Sequence, residues 1–144
     1  MSSRQWHASN PPVRQLSLPQ KLVLATRVWL AYARVRRLLR GTELPIAVAR
    51  LGAVGRRSRR RHAPARLSRA VHRTLRASPD DPTCLVRSLV LFRLLHEQGD
   101  DAELVIGLPE SPTSQEAHAW VELDKRDVGP PPGRVGHSEM ARFA

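Results

Sequence analysis

The stretch that decides the fold is residues 83–99, TCLVRSLVLFRLLHEQG. Apolar residues occupy nearly every face of a helix drawn through it, which is typical of a helix buried at the centre of a domain. Thr83 is a good N-cap residue because its hydroxyl can accept an amide hydrogen bond, and Gly99 suits the position just after a helix. The sequence therefore predicts a central helix from Thr83 to Gln98.

Two strands are predicted after this helix. Residues 102–108 (AELVIGL) are rich in strand-forming side chains and alternate in polarity. Residues 117–123 (AHAWVEL) alternate as clearly and place His118, Trp120 and Glu122 on one face. The intervening residues would form a hairpin connection. Beyond Asp124 the chain is rich in proline and glycine, and we expect only a short tail there.

Three helices are predicted before the central one. Ser17 and Gln20 have capping-box spacing at the start of a helix that reaches about Arg40. A short helix is expected over residues 43–54, and a third follows Pro64, where apolar residues recur at three and four positions. Helices combined with a small antiparallel sheet predict an α+β fold, with a cleft between the central helix and the sheet.

The chain of 144 residues has the length of one domain. Residues 1–16 lack periodicity and contain adjacent prolines, so they are expected to form a flexible arm. Residues 17–144 are expected to form a single domain. Within it, residues 17–77 would be a basic helical subdomain, and residues 84–128 would contain the central helix and the strands.

The net charge of +11 is divided unevenly. Residues 1–76 carry seventeen arginines and Lys21 against one acid, Glu43, whereas residues 77–144 carry six basic and twelve acidic residues. Such asymmetry indicates an acidic partner or nucleic acid. The basic run at residues 56–61 is expected to be a solvated loop.

Nucleic-acid binding is disfavoured as the explanation of this charge. The basic run offers neither stacking aromatic residues nor a recognition helix, and Trp29 and Tyr32 are expected to lie in the core. A small basic nucleic-acid-binding protein is therefore kept only as an alternative function.

The single cysteine, Cys84, excludes an intramolecular disulfide and indicates a cytoplasmic protein. No membrane helix is expected, because Arg27 and Arg34 interrupt the most apolar stretch, and residues 1–14 lack the core of a signal peptide. A structural zinc site needs about four closely spaced ligands, which one cysteine and dispersed histidines do not supply. We expect no metal and no cofactor.

Cys84 and His118 are the candidate catalytic residues. At the first turn of a helix, unpaired amides and the helix dipole favour the thiolate form of Cys84. A lone cysteine is more often a small buried hydrophobic residue. His118, at the start of a strand that can pack beside this helix end, supplies the base that cysteine acyl chemistry requires.

These residues resemble a known family. Cys84–Gly99, Ala102–Gly107 and Ala117–Asp124, with the sequence His-Ala-Trp-Val-Glu, look like the transglutaminase-like cysteine peptidases of lasso-peptide biosynthesis, the leader peptidases of the B protein. The resemblance covers roughly residues 18–128, and Cys84 precedes His118 as in papain-like enzymes.

The resemblance implies cleavage of a precursor peptide at its leader–core junction by Cys84 as nucleophile and His118 as general base and acid. It also implies three partners: the precursor peptide, a leader-binding recognition protein and an ATP-dependent macrolactam synthetase.

The third catalytic residue departs from the family pattern, which places an aspartate about a dozen residues after the histidine. That stretch here reads Val128-Gly129-Pro130. Asp127 is the nearest acid and Asp124 the next. Three alternatives therefore stay open: Asp127 orients His118, Asp124 orients it, or no acid does. With the acid absent, a non-catalytic scaffold on the same fold is a further alternative.

Overall fold

The computed structural model describes residues 15–57, 61–111, 116–131 and 133–144. Four helices precede four strands in the chain: α1 (Leu18–Gly41), α2 (Leu44–Gly52), α3 (Pro64–Arg76), α4 (Cys84–Glu97), β1 (Glu103–Pro109), β2 (His118–Leu123), β3 (Arg126–Gly129) and β4 (His137–Phe143). The strands form one antiparallel sheet in the order β3-β2-β1-β4. This confirms the predicted α+β fold. Most of the predicted arm, residues 1–14, lies outside the described residues.

Helix α4 is the centre of the domain, as its apolar sequence predicts. All eight residues from Ser88 to Leu95 are buried, and the helix contacts α1, α2, α3, β1 and β2. The Thr83 hydroxyl accepts a hydrogen bond from the Val86 amide at 3.4 Å, which confirms the N-cap. Gly99 has φ +91°, a conformation that glycine adopts at little cost.

Helix α1 buries one face and exposes the other. Leu24, Val28 and Val35 are buried against the remaining helices, whereas Leu22 and Leu30 are exposed. Tyr32 is buried as expected, but Trp29 is 38% exposed, so its predicted place in the core is wrong. Successive residues of a helix are about 100° apart, and the face next to Val28 turns away from the core.

The capping box predicted at the start of α1 is present, with the Ser17 side chain at the Gln20 amide. In return, the Ser17 amide donates a hydrogen bond to Oε1 of Gln20 at 3.0 Å. The described ends of the basic run lie against the carboxyl end of α4. The Arg57 amide donates to the Glu97 carbonyl at 2.8 Å, and Arg61 forms an ion pair with Asp100 at 2.5 Å.

The expectation of a short tail after Asp124 is wrong. This segment supplies two strands, β3 beside β2 and β4 beside β1, at the two edges of the sheet. Backbone hydrogen bonds hold an edge strand, so it needs few apolar residues, and β3 is only four residues long. Neither strand therefore produces a clear hydrophobic alternation in the sequence.

The sheet packs its two faces differently. Ala119 and Val121 of β2 belong to the core shared with the helices. Trp120 and Glu122 are equally buried but point to the opposite face, where Nε1 of Trp120 donates a hydrogen bond to Oε1 of Glu122 at 3.0 Å. Arg142 of β4 pairs with the second oxygen of Glu122 at 2.9 Å, so this buried carboxylate is neutralised.

Within the described ranges, no helix combines the length and the apolar character needed to cross a membrane.

Candidate active site

Cys84 and His118 lie at the same end of the domain because of the chain topology. The turn at residues 98–102 reverses the chain, so β1 runs antiparallel to α4. Because β2 is antiparallel to β1, it runs in the direction of α4. The first residue of α4 and the first residue of β2 therefore share one end of the molecule.

A buried hydrogen bond sets the register between α4 and β2. The Ser88 hydroxyl, which is fully buried, donates to the Ala119 carbonyl at 2.9 Å. Cys84 lies one helical turn before Ser88, and His118 lies one residue before Ala119. This contact holds the start of α4 close to the start of β2.

Cys84 is a half-buried free cysteine and the first residue of α4. The amides of Cys84 and Leu85 donate no hydrogen bond within the part of the chain that the structure describes. No acidic residue lies in the first turn of the helix. Unpaired amides at a helix N-terminus can bind a developing negative charge, on sulfur or on a substrate oxygen.

His118 is half-buried, and its Nε2 atom is buried and has no hydrogen-bond partner among the residues that the structure describes. Burial lowers the pKa of His118 most, the neighbouring His137 lowers it further, and the Asp127 carboxylate opposes both effects. The imidazole of His118 therefore stays neutral to a lower pH than usual, which is the form that accepts a proton.

No hydrogen bond joins the Cys84 sulfur to His118 in the described structure. The His118 ring instead lies beside two other rings, with centroid distances of 5.0 Å to His137 and 6.4 Å to Trp120. Catalytic hydrogen bonds often tighten only once substrate is bound. The structure thus brings the two residues to one end of the domain, but the His118 ring lies with Trp120 on the face of the sheet that points away from α4.

Asp127 does not hydrogen-bond to His118. Its Oδ1 atom accepts from the Gly129 amide at 2.8 Å, and its Oδ2 atom accepts from the Arg134 amide at 2.7 Å. The carboxylate therefore holds the loop between β3 and β4 together. Its negative charge also acts on His118, where it offsets part of the lowering of the histidine pKa.

Asp124 lies at the far end of β2 from His118. It has φ +50° in the turn to β3 and lines a surface depression with Arg61 and Asp100, beside the carboxyl end of α4. It follows His118 by six residues, a distance of about 20 Å at the usual rise of a strand. Asp124 therefore cannot contact His118, and the suggestion that it orients this histidine is wrong.

His137 is a site residue that the sequence analysis missed. It begins β4, and its ring lies 5.0 Å from His118 and 6.3 Å from Trp120. Its Nδ1 atom lies 2.9 Å from the Val135 carbonyl, which can only accept, so Nδ1 carries the proton. The sequence predicted only a short tail in this region, so it did not identify His137. The residue reaches His118 because β4 pairs with β1.

Gly107 makes room for these rings. It pairs with His118 across β1 and β2, and a side-chain carbon placed on it would lie 2.6 Å from Cη2 of Trp120. The absence of a side chain at Gly107 thus leaves room for the rings of His118, Trp120 and His137 to lie side by side on this face of the sheet.

Among the described residues, no group of three or more His, Cys, Asp or Glu side chains is arranged to hold a metal ion.

A free cysteine that begins the buried central helix of an α+β domain, with a histidine at the same end, is the arrangement of a cysteine-dependent enzyme. The chain matches the family model of the transglutaminase-like superfamily over residues 27–141, and it belongs to that superfamily. Its members are usually cysteine-dependent enzymes. No curated protein and no solved structure gives a significant match to the chain.

Replacing His137 by glutamine is expected to raise the pKa of His118, because the repulsion between two imidazolium rings is lost. Replacing Asp127 by asparagine is expected to lower the same pKa, because an attracting charge is removed. An NMR titration of the histidine ring protons measures both changes. Shifts in the same direction for the two variants would contradict the arrangement described.

The same pKa shift sets a dependence of stability on pH. The pKa of His118 is lower in the folded chain than the usual value near 6.5, so the unfolded chain takes up the proton first as pH falls. The contribution of His118 to stability is therefore complete above about pH 6.5 and declines below it. The His137→Gln variant should show a smaller decline.

Proposed function

We propose that this protein is a cysteine peptidase that removes the leader from a ribosomally made lasso precursor peptide. One observation carries the proposal: Cys84 starts the buried central helix at the end of the domain where His118 presents a buried, unpartnered Nε2 atom. Membership of the transglutaminase-like superfamily supports the cysteine chemistry. The resemblance of residues 83–99 and 117–124 to lasso leader peptidases supports the substrate.

The reaction would be acyl transfer from the peptide to water. The His118 side chain turns toward the start of α4 when substrate binds, and its Nε2 takes the proton from the Cys84 thiol. The thiolate then attacks the scissile carbonyl carbon. The resulting oxyanion accepts a hydrogen bond from the unpaired Cys84 amide. Protonated His118 then donates its proton to the leaving amine as the C–N bond breaks, which leaves a thioester on Cys84.

Hydrolysis of this thioester completes the cycle. Neutral His118 takes a proton from water, and the hydroxide attacks the thioester carbonyl. The C–S bond then breaks, and protonated His118 returns its proton to the Cys84 sulfur. The products are the carboxyl end of the leader and a regenerated thiol on Cys84. The lowered pKa of His118 keeps the ring neutral, which is the form in which each step begins.

Asp127 would support this chemistry at a distance. Its charge favours the imidazolium that forms in the first step, although its oxygens are bonded to the Gly129 and Arg134 amides. We assign Asp127 to the third position on this ground, as a positioning residue for the loop beside His118.

The proposed partners are the precursor peptide, a leader-binding recognition protein and a macrolactam synthetase that closes the core peptide. The proposed compartment is the cytoplasm, where the lone cysteine would stay reduced. These assignments rest on the family resemblance together with the single free thiol.

The test is incubation of the protein with its cognate precursor, with and without the leader-binding protein, followed by mass spectrometry of the products. We expect one cut, giving leader and core masses that sum to the precursor plus one water. An intact precursor under both conditions contradicts the proposal. A matched precursor with altered residues at the junction should remain uncut.

A further inference from the structure

A groove between α1 and α3 is lined by four cations. Lys21 of α1 faces Arg66, Arg69 and Arg73 of α3 across a depression of about 500 Å³. Leu24 and other apolar side chains form its floor. We call this the α1–α3 groove.

The positive charge of the α1–α3 groove is largely uncompensated. The side chains of Lys21, Arg69 and Arg73 are exposed and form no salt bridge or hydrogen bond in the part of the chain that the structure describes. No Asp or Glu is among the described residues that line the groove. Several of the acids of this chain pair elsewhere: Asp80 with Arg36, Asp100 with Arg61, Glu97 with Arg27 and Arg93, and Glu122 with Arg142.

The apolar part of the groove continues onto the exposed surface of α1. Leu18 lies three residues before Lys21 and is 70% exposed, and Leu22 follows Lys21 directly and is 61% exposed. Exposed leucines next to unpaired cations form a surface that is both apolar and basic.

We propose that the α1–α3 groove binds an acidic, amphipathic segment of another polypeptide chain. Carboxylates of the segment would pair with Lys21, Arg69 and Arg73, and its apolar side chains would cover Leu18, Leu22 and Leu24. The cations from Arg66 to Arg73 extend over about 10 Å of α3, which matches two turns of a helix or three extended residues.

The chemistry of the groove favours polypeptide over nucleic acid. Its described lining residues include no aromatic side chain on which a base could stack. A phosphate backbone would bury none of the apolar surface of the leucines. Leucine or valine side chains of a peptide would pack against that surface and remove it from water.

The groove is separate from the candidate active site. Arg27 of α1 pairs with Glu97 at the carboxyl end of α4, and Lys21 lies still further along α1 in that direction. Cys84 lies at the opposite end of α4. Binding in the groove can therefore be measured independently of any cleavage, and the proposal does not depend on the proposed function.

The test measures binding of a fluorescein-labelled synthetic peptide of alternating Glu and Leu by fluorescence anisotropy. The groove variant is Arg69→Glu/Arg73→Glu in the full chain. The matched control is Arg34→Glu/Arg50→Glu, which changes the net charge equally at two exposed arginines outside the groove. Thermal unfolding of each variant establishes that it is folded.

We expect the groove variant to bind the peptide at least tenfold more weakly, and the control variant to change affinity less than twofold. A peptide with Gln in place of Glu should bind weakly. The proposal is overturned if the peptide does not bind, if both variants lose affinity equally, or if a single-stranded oligonucleotide of equal charge binds the groove more tightly than the peptide.

Discussion

Replacing Cys84 by alanine is expected to abolish peptide cleavage and to leave the fold intact. The thiol forms the covalent bond to the substrate in the proposed reaction, and losing a nucleophile of this kind lowers turnover by at least about 10⁴-fold. Cys84 is only half-buried and lies at the first turn of α4, where alanine is a good helix residue. The midpoint of thermal unfolding should therefore change by no more than a few degrees.

Two measurements check this expectation. Mass spectrometry of the precursor after incubation detects cleavage, and a thiol-reactive peptide electrophile detects the nucleophile directly. Because Cys84 is the only cysteine, any covalent adduct on the wild-type chain is located without further mapping. His118→Asn should also lose the adduct at neutral pH, whereas His96→Asn, changed at the other end of α4, should keep it.

Cleavage by a well-folded Cys84→Ala variant would show that another group performs the reaction. Equal labelling of the wild-type and His118→Asn chains would instead show that the cysteine reacts without the histidine. That second result would support the non-catalytic scaffold on the same fold.

Replacing Gly107 by alanine is expected to destabilise the protein by about 3 kcal/mol, at the upper end of the usual cost of overpacking. The added carbon would lie 2.6 Å from Cη2 of Trp120 and 2.7 Å from the Ser138 carbonyl oxygen, so side chain and backbone must both move. For a domain of this size, such a loss lowers the unfolding midpoint by roughly 10 °C.

The matched control for this variant is Gly41→Ala. Gly41 is the last residue of α1, and a carbon added there meets no atom within 4 Å. Its unfolding midpoint should be unchanged or higher, since alanine favours the helix. Calorimetry of the two variants measures the difference, and equal midpoints would contradict the close contact between Gly107 and Trp120.

Gly107→Ala should also change the candidate active site. Trp120 lies beside the rings of His118 and His137, and Ser138 follows His137 in β4. A shift of either one moves His118 relative to the start of α4. We therefore expect lower cleavage activity even at temperatures where the variant is fully folded.

The helices were predictable because each has a one-sided or fully apolar pattern over many residues. The limits of α4 follow from Thr83 and Gly99, whose roles depend on local backbone geometry. Strands β3 and β4 were not predictable in the same way. Their stability depends on pairing with β2 and β1, which lie earlier in the chain, and their side chains are mostly exposed.

The residues of the candidate site also differ in whether the sequence alone could identify them. Cys84 and His118 stand out in the sequence because each occupies the first position of a strongly patterned element. His137 and Gly107 do not, since their importance depends on contacts across the sheet. The sequence offered two acids for the third position, and only the turn at Asp124 showed that one of them lies at the wrong end of β2.

The sequence by itself determined the α+β class, the central helix, the first two strands and the two residues proposed to react. These features depend on periodicity and on helix-end chemistry, both of which act within a few neighbouring residues. The tertiary structure alone decided the outer strands, the cluster of His118, Trp120 and His137, and the position of Lys21, Arg69 and Arg73 in the α1–α3 groove, away from the described acids. Each of these depends on contacts between residues far apart in the chain, which only the packed sheet and helices bring together.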